Sequence, residues 1–214
     1  MKPIIVFDLG GVLIDWNPRY LYRKFFTDEP HMEFFLREVV SNRWNLQMDA
    51  GKSQQESVQD LSRACPQYRD AIIAWMTRWD EMLGDAFETM PEVLQYFSRT
   101  GYELHAITNW SAETFHFAEK KYDFLQLFRT ITVSGREKVA KPNPVIFEIF
   151  LERNQIKASD CIFIDDAYRN IESAYSLGFE TIHFTDSSAC IQELAEKTGD
   201  QDLLQFIEVE VNVP

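Results

Sequence analysis

The chain has 214 residues, enough to bury a sizeable core in one large domain or a domain with an insert. With 34 acidic against 21 basic side chains, its net charge of -13 argues against a nucleic-acid backbone or an anionic membrane as partner. No run approaches the roughly 18 apolar residues of a membrane span. Met1-Lys2-Pro3 leads straight into four apolar residues, too short a run for a signal peptide, so the expected location is cytoplasmic. Cys65, Cys161 and Cys190 are odd in number and scattered, as expected of reduced thiols.

Ile4, Ile5, Val6 and Phe7 read as a strand buried on both faces. That strand stops at Asp8, and Gly10 and Gly11 then allow a sharp turn and a close approach of backbone to ligand. Asp8 is either a cap for a following helix or a carboxylate delivered to the end of a parallel strand, where open α/β sheets place their ligands. From Pro18 to Asp85 the strand signal vanishes and four helices are predicted. The first covers residues 19–26, with Leu21 and Phe25 on one face and Tyr22 and Phe26 on another. The second lies behind Pro30, with Met32, Phe34, Phe35, Val39 and Val40 as its apolar face. The third starts near Ser53 with Glu56 as a capping-box partner, and the fourth carries Ala71, Ile72, Trp75, Met76 and Trp79.

Beyond Pro91 helix and strand alternate. Val93, Leu94 and Phe97 share a helical face that Gly101 ends, and a strand running to Thr108 and Asn109 follows. A helix over residues 114–122, a strand over 128–133 and a helix over 144–153 come next, the last preceded by Lys141 between Ala140 and Pro142. A strand over 161–164 ends on Asp165 and Asp166, followed by a helix to Gly178 and a strand over 181–184. Residues 190–197 read as helix, and residues 206–213 as an edge strand or a tail. This βαβα order predicts an α/β fold: a doubly wound, Rossmann-like parallel sheet core, residues 1–17 and 86–214, with an inserted four-helix cap at residues 18–85.

Four segments together resemble the motifs of the haloacid-dehalogenase-like superfamily of Asp-nucleophile hydrolases. They are Asp8-Leu9-Gly10-Gly11-Val12-Leu13, the strand ending in Thr108-Asn109, Lys141-Pro142-Asn143-Pro144, and Asp165-Asp166 after an apolar strand. The opening is similar to that of bacterial sugar-phosphate phosphatases, including the α-D-glucose-1-phosphate phosphatase type. The resemblance implies a phosphatase with Asp8 as nucleophile, Thr108, Asn109 and Lys141 as phosphate-binding groups, and Lys141 also stabilising the phosphoryl charge. It implies Mg²⁺ held by Asp8, the Gly10 carbonyl and Asp166, with Asp165 as either ligand or orienter. The implied partner is a small phosphorylated substrate, with sugar phosphates favoured.

One departure matters. Many such phosphatases carry a general-acid Asp two residues after the nucleophile, where this chain has Gly10. The same scaffold serves 2-haloacid dehalogenases, which use the matching Asp without metal, and a non-catalytic binding protein is a third reading. Gly10 and the Asp165-Asp166 pair argue against the dehalogenase. Substrate-pocket candidates are Asp15 at the entry to the insert, Trp44 and Asn45 within it, and Trp110 directly after Asn109. Hinge or capping work is the alternative for Asp15, and packing is the alternative for each Trp.

Overall fold

The computed structural model describes residues 2–87 and 89–208. Five strands form a wholly parallel sheet: β1 (Ile4–Phe7), β4 (Leu104–Thr108), β5 (Thr130–Val133), β6 (Cys161–Asp165) and β7 (Glu180–His183). Their order is β5-β4-β1-β6-β7, so β1 is central and the strand order reverses beside it. Two further strands, β2 (Ile14–Trp16) and β3 (Leu83–Ala86), pair antiparallel as a separate ribbon. The sequence signal missed this ribbon, because three- and four-residue strands interrupted by Asp15, Gly84 and Asp85 leave no apolar alternation.

Between the ribbon strands runs the predicted helical insert: α1 (Arg19–Tyr22), α2 (Glu29–Phe34), α3 (Asn42–Asp49), α4 (Gln54–Ala64) and α5 (Arg69–Thr77). Helix α3 is additional to the four expected, its polar sequence having masked the apolar face formed by Trp44 and Met48. Helix α1 is shorter than predicted and places Leu21 and Phe25 apart, with Leu21 fully buried and Phe25 exposed. Phe34 also points outward, since α2 gives way to a wider π turn at Phe35–Val39 that turns Phe35 and Val39 inward instead. The predicted capping box of α4 is absent: Ser53 makes no side-chain cap, and the Gln54 N–H donates to the Glu113 carboxylate at 3.1 Å.

The remaining helices cover the sheet: α6 (Met90–Thr100), α7 (Phe115–Lys121), α8 (Ser134–Glu137), α9 (Pro144–Asn154), α10 (Tyr168–Ser176), α11 (Ser187–Thr198) and α12 (Gln205–Glu208). Alternation along the strands sorts the core into two layers. Ile5, Phe7, Leu104, Ala106, Ile162 and Ile164 face the side of α6 and α11. Val6, Ile107, Cys161 and Phe163 face Ile146, Phe147 and Phe150 of α9 and Ile171 of α10. Residues 206–208 are helical rather than an edge strand, and the rest of that predicted segment lies outside the described residues.

Candidate active site

The registers that pair Phe7 with Ala106 and with Ile164 carry β1, β4 and β6 to a common level. Asp8, Thr108 and Asp165 therefore emerge side by side at the carboxyl edge of the sheet, beside the point where strand order reverses. Asp8 is 7% exposed; its main-chain N–H donates to the Ile164 carbonyl at 2.8 Å, and its carboxylate accepts the Leu9 N–H at 2.7 Å.

Lys141 arrives from the segment before α9 and is fully buried. Its ammonium lies 3.0 Å from Asp8 Oδ2 and donates to Asp165 Oδ2 at 2.6 Å and to the Ile107 carbonyl at 2.7 Å. Three acceptors thus match the three N–H groups of a cation that would otherwise be costly to bury. Burial works against the charge on Lys141, but Asp165 and Asp8 outweigh it and hold the group above the usual lysine range. Asp8 is also pushed upward, to about 8, by its burial, with Asp165 and Asp166 adding to the shift and Lys141 opposing it.

Asp165 is held by several partners. Besides Lys141, its oxygens accept the Ala167 N–H at 2.8 Å and the Asn170 amide at 2.9 and 3.0 Å. A carboxylate so engaged orients Lys141 and the start of α10. Asp166 is exposed at the rim, and the approach of the Gly11 backbone to it is so close that a Cβ on Gly11 would stand 2.5 Å from Asp166 Oδ2. Carboxylate oxygens of Asp8, Asp165 and Asp166 lie within 4.8 Å of one another. Three carboxylates against the one lysine, together with the raised Asp8, fit a site for a hard divalent cation with oxygen ligands.

Thr108 is buried at the end of β4, and Asn109 follows it with its side chain engaged. Its side-chain oxygen accepts the Lys141 main-chain N–H at 2.8 Å, and its amide donates to the Lys141 carbonyl at 2.9 Å. The side chain therefore clasps Lys141, and of its two amide N–H groups one is committed to that clasp. The pocket candidates are likewise redirected. Trp44 packs edge-on to Trp75 with ring centroids 5.2 Å apart, and Trp110 packs on Trp79 at 5.4 Å and Phe115 at 5.6 Å. Both are core residues because each indole is apolar enough to fill the seam between elements. Asn45 donates to Asp49 at 2.9 Å within α3. Asp15 accepts the Tyr20 hydroxyl and, with Leu83, Asp85 and Lys121, lines a cavity of about 540 Å³ at the ribbon.

Sequence reasoning missed Asp49 and Ser134. Asp49 closes α3 and is 8% exposed; burial raises its carboxyl to about 7, against the stabilising Ser111 backbone N–H. Its one sequence signal was the polar stretch around Asn45, four residues earlier on the same helical face. Ser134 accepts the Trp110 N–H at 2.9 Å, and nothing in its local sequence announced that.

The profile of the haloacid dehalogenase-like hydrolases matches residues 5–184. A sesquiterpene phosphatase of Aspergillus oryzae is 26% identical over 91% of this chain and 95% of its own length. A phosphorylated carbohydrates phosphatase of Thermotoga maritima is 22% identical over 84% of this chain and 83% of its own length. A Bacteroides thetaiotaomicron family enzyme solved with magnesium and inorganic phosphate superposes with a TM-score of 0.64 at 22% identity, covering 85% of this chain and 93% of that one. With the match running from the first strand of the sheet to the last, this chain belongs to the haloacid dehalogenase-like hydrolase family.

Proposed function

We propose that the protein is a Mg²⁺-dependent phosphatase acting on a small phosphorylated metabolite, with sugar phosphates favoured. One observation carries the reading: a buried carboxylate, Asp8, stands at a parallel strand end 3.0 Å from a buried lysine ammonium, beside the exposed carboxylate of Asp166. Asp8, Asp166 and the Gly10 carbonyl would hold the ion, which supplies positive charge between the nucleophilic carboxylate and the phosphoryl oxygens.

An Asp8 oxygen attacks phosphorus in line, forming an aspartyl-phosphate as the ester P–O bond breaks, and the departing alkoxide takes its proton from a water molecule. Water then cleaves the acyl phosphate, restoring Asp8 and releasing inorganic phosphate. Lys141 stabilises the charge on the phosphoryl oxygens, while Asp165 and Asn109 hold the lysine in place. Thr108 and the main chain after it bind the remaining oxygens. The insert closes over this edge of the sheet and excludes bulk water. With Gly10 in place of an acid, leaving groups that depart readily, such as anomeric sugar phosphates, suit the site best. The relative named for phosphorylated carbohydrates supports that preference, and the one named for a sesquiterpene phosphate ester sets an apolar alternative against it.

The test is phosphate release from a panel of hexose 1-phosphates, hexose 6-phosphates and a terpenyl phosphate, with Mg²⁺ and then with chelator. Metal-dependent release is expected. Halide release from 2-chloropropionate in chelator, with every ester untouched, would assign the protein to the dehalogenases instead.

A further inference from the structure

Strands β4 and β5 run in register up to the pair Thr108 and Val133, and there the ladder stops. Beyond it Asn109 turns its side chain to Lys141. The next contact between the two chains is made by a side chain. Ser134 is fully buried, and its hydroxyl accepts the Trp110 N–H at 2.9 Å and donates to the Trp110 carbonyl at 3.4 Å. The Gly135 N–H donates to the same carbonyl at 3.0 Å. A hydroxyl has one proton to give and lone pairs to receive, so Ser134 satisfies both main-chain groups of one residue and takes the place of the next rung.

The approach is close enough to need a glycine. A Cβ on Gly135 would stand 2.4 Å from the Ala112 nitrogen and 2.8 Å from the Trp110 carbonyl oxygen, so backbone lies directly on backbone. The segment Ser134–Lys141 thus grips the loop after β4 at two points. Its first two residues hold the Trp110 main chain, and the main chain of its last holds the Asn109 side chain. Between the grips Lys138, in the left-handed region at φ +59°, ends α8 and turns the chain. The two gripped residues directly follow Thr108. In the sheet, β4 and β5 lie on one side of β1, and β6, with Asp165 and then Asp166 at its end, lies on the other. The grip therefore acts on the side of Asp8 away from Asp166.

We propose that Ser134 is a positioning residue: by holding the Trp110 main chain it fixes the course of residues 108–110 past Asp8 and Lys141, in the arrangement that receives a phosphoryl group. The proposal rests on the phosphatase reading and adds to it a residue that does not itself touch substrate. The contacts are continuous, from Ser134 to Trp110, through the adjoining Asn109 to Lys141, and from Lys141 to Asp8. A reacting group is held to a fraction of an ångström only when the groups behind it are themselves fixed.

The experiment compares wild type and Ser134→Ala in p-nitrophenyl phosphate hydrolysis, with inorganic phosphate as inhibitor and Mg²⁺ varied. Ser134→Ala should lower kcat by about 10–10²-fold and raise the phosphate inhibition constant about tenfold, as expected when binding groups are misplaced. The Mg²⁺ concentration for half-maximal activity should stay within about twofold, since Asp166 lies on the other side of Asp8. An inhibition constant does not depend on how much of the enzyme is folded, so a variant that only loses stability would keep the wild-type value. Wild-type kcat and phosphate inhibition in folded Ser134→Ala would overturn the proposal, and so would a change confined to Mg²⁺. If Ser134→Ala fails to fold, Ser134→Cys keeps a side chain there with a weaker donor and acceptor. It should raise the inhibition constant about threefold or more, and an unchanged value would overturn the proposal. Wild type inactive on the ester would sink the phosphatase reading instead. Calorimetric titration with inorganic phosphate in Mg²⁺ would then decide the positional role: weaker binding by Ser134→Ala supports it, and equal binding overturns it. A wild type that binds no phosphate removes it together with that reading.

Discussion

Asn109 and Lys141, 32 residues apart in sequence, hold each other through two hydrogen bonds, from the Lys141 N–H to the Asn109 side-chain oxygen and from the Asn109 amide to the Lys141 carbonyl. This clasp stitches the end of β4 to the segment before α9 and aims the lysine ammonium at Asp8. Replacing Asn109 with Ala breaks both bonds while removing no buried charge. Turnover should fall about 10–10²-fold, chiefly in kcat, because Lys141 would be less well placed. Steady-state kinetics with a thermal melt would check this, and an unchanged kcat would show that Asp165 alone suffices to position Lys141.

Asp8→Asn should reduce phosphate release on the order of 10⁴-fold or more, as for other nucleophile deletions. The fold should survive, since Asn keeps the oxygen that accepts the Leu9 N–H. Substantial residual activity with native circular dichroism would remove Asp8 from the role of nucleophile.

The two glycines of the first motif should respond in opposite ways. Gly10 has no heavy atom within 4 Å of where a Cβ would stand, so Gly10→Asp should fold normally. If its carboxyl acts as a general acid, rates on poor leaving-group esters should rise by about 10–10²-fold relative to p-nitrophenyl phosphate. Gly11 has φ +79°, and a Cβ there would collide with Asp166. Gly11→Ala should cost about 1–2 kcal/mol from backbone conformation and raise the Mg²⁺ concentration needed for half-maximal activity. Titrating Mg²⁺ against both variants separates the two effects.

Asp49 makes a pH-dependent prediction. Its carboxyl is raised from 3.8 to about 7 by burial, so the folded chain holds this proton to higher pH than the unfolded chain does. Stability from this group is present at low pH and is lost as pH rises from about 4 through about 7. Asp49→Asn removes the titration. The variant should therefore be more stable than wild type at pH 8, by on the order of 1–4 kcal/mol, with a smaller gain at pH 5. Denaturant midpoints at the two pH values decide it, and an equal difference at both would show that Asp49 ionises normally.

Asp166→Asn should weaken Mg²⁺ binding without unfolding the chain, because Asp166 is exposed at the rim while Asp165 remains engaged by Lys141 and Asn170. Isothermal titration with Mg²⁺ would show it, and unchanged affinity would exclude Asp166 as a ligand.

Legible in the residues alone were the alternation of strands and helices in the core, the breaks at Gly101 and Gly178, and the four segments that converge on one sheet edge. These features are local: apolar period, glycine at a helix end and a charged residue closing an apolar strand each act within a few residues. Tertiary structure alone decided which partner each polar side chain takes. Asn109 turned to Lys141, Asp165 turned to Lys141 and Asn170, and Trp44 and Trp110 packed inward instead of facing a substrate. Periodicity names the face a side chain occupies; the residue it meets there depends on strand order, register and the seating of the insert, which are set by the packing of the whole core.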